Sequence, residues 1–279
     1  MDLQTKRLIE NALIEDMPYS DISSTIFTEN DKSKAVLISK DEGILCGLEI
    51  FKEVFLIMDR SIKFEKTKFK EGDKIKIGNE LLKINGKTKS ILSAERTALN
   101  FLGKLSGIAS KTNNIVMQLK GKKIRLADTR KTTPLFRSLE KYAVKVGGGV
   151  NHRMNLSDAV MLKDNHIKAA RNLKNAVKKI RENISFMTKI EVEVESLEMV
   201  KDAVSAKVDI IMLDNMDFIE IEKAIKFIRK GNALIEVSGN ITEEKIAKLK
   251  NLDIDIISSG AITHSAPSFD FSLKTLYSL

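Results

Sequence analysis

The sequence predicts an α/β protein: a small α+β unit in its first third, then a βα barrel. Three observations carry that expectation. The chain has 279 residues, room for two modest domains or one large one. From residue 123 onward, apolar runs recur every 20 to 35 residues, and helical patterns separate most of them. That is the rhythm of βα units with a parallel sheet. Nearly every such run also ends in polar chemistry, which fits a barrel mouth better than the single switch point of an open sheet.

Taken in order, residues 3–15 have a helical apolar spacing, with Leu8, Ile9, Ala12 and Leu13 on one side and Pro18 beyond. Strand-like runs follow at 34–40, 61–66, 74–77 and 80–85, with a helical stretch at 48–58 between the first two. Glu71-Gly72-Asp73 and Asn85-Gly86 are turn signals. A long helical region starts near Ser90, with Ser93 as a candidate N-cap, and Ser106-Gly107 is expected to break it before a second helix. The domains are therefore drawn at 1–105 and 106–264, with the tail 265–279 assigned to pack on the first. In the second domain, strand-like runs lie at 123–128, 158–163, 188–194, 208–214, 233–238 and 253–259. Helical patterns lie at 136–146, 170–182, 196–205, 217–230 and 242–250.

Composition excludes several classes of protein. Apolar residues make up 43% and charged residues 30%, an ordinary globular balance. No run approaches the roughly 18 apolar residues of a membrane span. The first residues carry acids early and lack an apolar signal core, so a cytoplasmic protein is expected. One cysteine, Cys46, excludes an intramolecular disulfide and cysteine-rich zinc modules, and its expected state is buried and inert. Three histidines leave little for a histidine-rich metal site, and His166 and His264 are read as structural. The net charge of +9 suits an anionic partner, either nucleic acid or a phosphorylated metabolite, or simply a lysine-rich surface. No tryptophan and only three tyrosines argue against single-stranded nucleic acid, whose bases need stacking platforms. Neither nucleic acid nor membrane is expected as a partner.

The strand ends carry both signs of charge. Arg130, Lys131, Arg153 and Lys163 supply cations, and Glu193 and Asp214 supply carboxylates. Glu193 and Asp214 are 21 residues apart, one βα unit, so they fall at the ends of successive strands. Carboxylates so placed suit Mg²⁺, ribose hydroxyls or an ion pair with a nearby lysine. Thr129-Arg130-Lys131 opens a loop before a helix, where arginine grips carboxylate or phosphate in a fork and lysine acts as a mobile point charge. An exposed helix-entry loop is the alternative. Gly147-Gly148-Gly149 precedes Asn151-His152-Arg153, so the backbone can come close to a ligand beside a cation. Ser238-Gly239-Asn240 and Ser259-Gly260-Ala261 are turns of the kind that bind phosphate late in a barrel.

These residues resemble one family closely. Ser93 to Leu102 (SAERTALNFL), Ser106-Gly107-Ile108-Ala109, Thr129-Arg130-Lys131-Thr132-Thr133-Pro134, Glu140-Lys141-Tyr142-Ala143-Val144 and the triple glycine are similar to quinolinate phosphoribosyltransferases. So are Asn151-His152-Arg153, Lys163-Asp164-Asn165-His166-Ile167, Glu191-Val192-Glu193-Val194-Glu195 and Leu213-Asp214-Asn215. The resemblance spans nearly the whole chain. It implies an N-terminal α+β sandwich-like domain and an incomplete, seven-stranded α/β barrel. It also implies transfer of phosphoribosyl from phosphoribosyl pyrophosphate to quinolinate with Mg²⁺, giving nicotinate mononucleotide, pyrophosphate and CO₂ in NAD biosynthesis. A same-scaffold enzyme with another ring-acid acceptor is the runner-up.

By position, the resemblance makes Thr129, Arg130, Lys131, His152, Arg153 and Lys163 the wall that holds quinolinate and phosphates. Lys131, Glu193 and Asp214 become catalytic, and Glu193 and Asp214 also hold ribose hydroxyls and Mg²⁺. The turns at 238–240 and 259–261 take the 5′-phosphate. Arg96 is donated across a homodimer interface. Three departures stand out. Ser20 and Leu135 replace residues that are commonly glycine in the family, and Ser259 replaces one that is often apolar.

Overall fold

A computed structural model describes residues 1–277. In chain order it runs α1 (Leu3–Asp16), β1 (Lys32–Ser39), β2 (Gly43–Ile44), α2 (Leu48–Met58), β3 (Lys63–Phe64), β4 (Lys74–Ile75), β5 (Glu80–Lys87) and α3 (Thr88–Gln118). There follow β6 (Arg125–Ala127), α4 (Arg137–Val146), β7 (Val160–Leu162), α5 (Asp164–Ala169), α6 (Leu173–Arg181), β8 (Ile190–Val194) and α7 (Leu197–Ser205). The chain ends with β9 (Ile210–Asp214), α8 (Phe218–Ile228), β10 (Leu234–Ser238), α9 (Glu243–Leu249), β11 (Ile256–Ser258), α10 (Ala261–His264) and β12 (Phe271–Tyr277). One compact unit comprises Met1–Asn113, Thr132–Gly148 and the chain from Ile262 onward. The other comprises Asn114–Lys131 and Gly149–Ala261.

The first unit is built on an antiparallel sheet in the order β12-β1-β5-β3, beside a small β2-β4 pair. Asp2 starts α1 by accepting the Thr5 N–H at 2.9 Å, and the four-residue spacing of Thr5, Ile9 and Leu13 turns one stripe inward. α2 buries Phe51, Val54 and Phe55, and the Phe55 ring meets Phe64 of β3 edge-on at 6.4 Å. Glu71 accepts the N–H groups of Gly47 and Leu48, satisfying donors at the start of α2.

Three sequence expectations change here. Ser106-Gly107 does not break the helix: α3 runs unbroken for 31 residues. A Cβ on Gly107 would lie 2.0 Å from the Pro267 carbonyl oxygen, and one on Gly103 2.7 Å from that of Phe269. The glycines let the C-terminal segment cross the helix, and Ser106 binds the backbone of Cys46 through both its N–H and its carbonyl. Ser93 is no cap, because α3 begins at Thr88; its hydroxyl donates to Asp21. Asn85-Gly86 makes no turn, because it continues β5 opposite Lys34 and Ser33, where pairing with β1 overrides local turn preference.

The second unit is a parallel sheet in the order β6-β11-β10-β9-β8-β7, wrapped as an incomplete α/β barrel. Val150 adds a single-residue parallel bridge to Ala127, a seventh rung beyond the six strands of this sheet. Alternation along each strand decides what faces where. Val192, Val194, Ile211, Leu213, Ile235 and Val237 are fully buried on one side. Glu191, Glu193, Met212, Asp214, Glu236 and Ser238 occupy the other. Asn172, Ser196, Asp217 and Thr242 each cap the helix they precede through a side-chain oxygen. The helix expected at 170–182 is α6, which follows the Asn172 cap, and a short helix absent from the sequence reading, α5, starts directly after Lys163.

Candidate active site

A cavity of about 350 Å³ opens at the carboxyl ends of the barrel strands. Thr129, Arg130, Lys131, His152, Arg153, Lys163, Glu193, Asp214 and Ser238 line it, together with Met161, Met212 and Ser258. Nine residues read from the sequence thus share one space. Strand alternation explains the grouping: Glu193, Met212 and Glu236 are register partners on three neighbouring strands, and Asp214 pairs with Ser238.

The opposite charges are interleaved. Lys163 Nζ lies 2.5 Å from Glu193 Oε2, with the lysine half-exposed. Arg153 donates to the Ala159 carbonyl at 2.9 Å, and burial followed by the adjacent Arg130 guanidinium pulls its pKa below the usual arginine range. Asp214 accepts from the Asn215 side chain at 2.9 Å. One oxygen each from Glu193, Glu195 and Asp214 lies within 4.8 Å of the others. Such an all-oxygen set fits a hard divalent cation.

Behind the cavity wall, Asp128 is fully buried. Its carboxylate accepts the Asn151 side-chain amide at 2.6 Å and the His152 N–H at 2.9 Å. His152 Nε2 sits 3.0 Å from Glu191 Oε2 and 3.6 Å from Glu236 Oε2. Burial, then the Glu191 charge, push Glu236 up to about 7, while His152 opposes them.

The turn after β10 is shaped by left-handed backbone. Gly239 has φ +85°, Asn240 +45° and Asn215, after the neighbouring strand, +52°. A Cβ on Gly239 would sit 2.2 Å from Asn215 Oδ1, so only glycine fits there. Lys245 Nζ donates to the Gly239 carbonyl at 2.7 Å. Burial lowers the Lys245 pKa, and nearby Asp214 opposes that effect.

Some expectations fall outside the cavity lining. Arg96 is exposed on α3, in the other unit. Gly239, Asn240 and Gly260 lie in the turns beyond the lining residues, Ala261 opens α10, and Ser259 is buried with its N–H on the Ala127 carbonyl at 3.0 Å. Ser258, one position earlier, lines the cavity instead. Sequence reasoning missed Ser258, Lys245 and Glu236; the last two-residue step before Ser238 was the signal for Glu236.

Comparison with known proteins fits this geometry. Residues 18–106 match the quinolinate phosphoribosyl transferase N-terminal domain, and residues 108–274 match its C-terminal domain. The chain is 44% identical over 276 residues to the probable carboxylating nicotinate-nucleotide pyrophosphorylase of Methanocaldococcus jannaschii, covering 96% of this chain and 95% of that one. Its counterpart in Bacillus subtilis is 38% identical, covering 99% and 95%. The crystal structure of NadC from Streptococcus pyogenes superposes with a TM-score of 0.94 at 47% identity, covering 99% of both chains. With both domain families matched and the strand-end residues gathered at one mouth, the chain belongs to the quinolinate phosphoribosyltransferase family.

Proposed function

We propose that this protein transfers phosphoribosyl from phosphoribosyl pyrophosphate to quinolinate with decarboxylation, releasing nicotinate mononucleotide, pyrophosphate and CO₂ for NAD biosynthesis in the cytoplasm. The observation that carries this reading is the joint lining of one cavity by Arg130, Lys131, Arg153 and Lys163 with Glu193 and Asp214. A dianion must meet a polyanion here, and the repulsion between them needs local cations more than net charge. The two arginines suit forked binding of the acceptor's carboxylates. Lys131 and Lys163 balance the phosphates. The Ser238–Asn240 turn and the segment at Ser259–Ala261 receive the 5′-phosphate.

As the C1–O bond to pyrophosphate breaks, its electron pair leaves with pyrophosphate and C1 gains positive charge. Glu193 and Asp214 face that charge and hold the ribose hydroxyls. The pyridine nitrogen then bonds to C1, and the resulting pyridinium accepts the electron pair left by CO₂. A proton takes the vacated ring carbon. Glu193 and Asp214, with Glu195 beside them, would hold Mg²⁺. When bound, Mg²⁺ supplies positive charge to the departing pyrophosphate. The reading includes a homodimer in which Arg96 reaches the partner's site.

The test is a product assay with quinolinate, phosphoribosyl pyrophosphate and Mg²⁺, and nicotinate in a parallel tube. Nicotinate mononucleotide and CO₂ from quinolinate alone is the expected result. Turnover of nicotinate instead would keep the barrel and phosphate sites but replace the acceptor. For the shared site, mixing inactive Arg96→Ala and Lys131→Ala subunits should restore activity; none after proven subunit exchange would refute it.

A further inference from the structure

His152 lines the cavity, and the protein itself engages both of its ring nitrogens. Nδ1 accepts the Arg153 backbone N–H at 2.8 Å, which leaves the ring proton on Nε2. Nε2 points at two carboxylates, Glu191 at 3.0 Å and Glu236 at 3.6 Å. Those side chains are only 4% and 1% exposed, and each has a buried Oε1 with no hydrogen-bond partner among the described residues. Two buried carboxylates side by side are costly, and apolar side chains of similar size often replace such groups without loss of stability. Their side chains cap no helix; what they share is the His152 ring.

Resting on the function proposed above, we infer that Glu236 and Glu191 are positioning residues: they lock the His152 ring so that its Nδ1 fixes the Arg153 backbone and aims that guanidinium at a carboxylate of the acceptor. The chain of contacts is continuous. Asp128 holds the His152 N–H, Glu191 meets Nε2 with the Glu236 carboxylate just beyond it, Nδ1 holds the Arg153 N–H, and the Arg153 side chain is braced on the Ala159 carbonyl. A forked arginine contact tolerates only small misplacement, so slack at the histidine is felt as lost recognition of one substrate.

The experiment compares wild type with Glu236→Leu, which keeps bulk but removes one of the two carboxylates at Nε2, and Glu236→Gln, which keeps an oxygen. Steady-state kinetics give KM for each substrate, and ring-¹⁵N histidine spectra report the His152 tautomer, assigned by loss of its signal in His152→Gln. Glu236→Leu should raise the quinolinate KM at least tenfold and leave that for phosphoribosyl pyrophosphate within twofold. It should also blur the single Nε2–H signature, and Glu236→Gln should restore both readouts. An unchanged quinolinate KM, a parallel rise in both KM values or an unaltered tautomer signature in Glu236→Leu would overturn the inference. If Glu236→Leu does not fold, Glu191→Leu carries the same expectations. Should wild type fail to use quinolinate, the function reading falls, and the spectra alone still decide whether the carboxylates hold the ring.

Discussion

Glu236 should make the protein's stability fall across neutral pH in a way that one substitution removes. In the unfolded chain its carboxyl ionises near the ordinary 4.5, and in the fold near 7. Between those values the native state holds a proton that the unfolded chain has released. The associated stability is complete below about 4.5 and is lost as pH rises through about 7. That interval corresponds to roughly 3 kcal/mol. Glu236→Gln has no such proton to lose. Its melting temperature should therefore match wild type at pH 5 and exceed it at pH 8.5 by about 6 °C, at about 2 °C per kcal/mol for a chain of this size. Thermal scans of both proteins at four pH values and fixed ionic strength measure the gap, in which other titrating groups cancel. A gap that stays constant from pH 5 to 8.5 would refute the assignment of a proton to the buried pair.

Three further outcomes follow from single contacts. Gly107→Ala would ordinarily favour a helix by about 1 kcal/mol; because its Cβ would sit 2.0 Å from the Pro267 carbonyl, it should instead destabilise by ~1–3 kcal/mol, read by urea denaturation. Gly239→Ala forces a side chain into φ +85° against Asn215, so the KM for phosphoribosyl pyrophosphate should rise about tenfold, an effect of roughly 1.4 kcal/mol, and the fold should lose ~1–3 kcal/mol in urea denaturation. Cys46 is buried, and burial followed by the Glu71 charge pushes its thiol pKa upward. Iodoacetamide at pH 8 should leave the native protein unlabelled and modify it only after unfolding.

The barrel was legible because its signals are local and repeated. Apolar alternation marked β8, β9 and β10 to within two residues at each end, and the polar residue at or just before the close of each strand marked the cavity. Reading failed where a residue answers to something distant in sequence. Gly107 looked like a helix break because its reason lies 160 residues away, at Pro267. Asn85-Gly86 looked like a turn because the partner strand that extends it is β1. Ser258 went unread because a one-residue shift in a short strand exchanges the two faces. Glu236 went unread because a glutamate amid Leu234, Ile235 and Val237 shows its partners only when β8 and the His152 loop come beside it. Leu135 shows the reverse. Its φ of +63° explains why glycine is common there in the family, a preference visible in sequence without its cause.

Two sets of carboxylates on the barrel strands handle charge in opposite ways. At the amino ends, Asp209 accepts the Ile190 N–H and pairs with Arg181 and Lys189. Asp255 accepts the Ile235 N–H and pairs with Arg229, so the same device recurs two strands on. Each of these aspartates is partly exposed and has both a backbone donor and a cation, an arrangement that ties strands to helices without stranding a charge. One position after Ile190 and Ile235, on the other face of the same strands, Glu191 and Glu236 are buried, share one histidine and each keep an oxygen with no partner among the described residues. Stability alone would favour the first arrangement for both sets. The contrast therefore locates the face where the fold tolerates an unfavourable electrostatic arrangement. Two residues on, that face carries Glu193 and Ser238 into the cavity where Arg130, Lys131, Arg153 and Lys163 converge, so the buried carboxylates belong with the machinery for anionic substrates rather than with the scaffold.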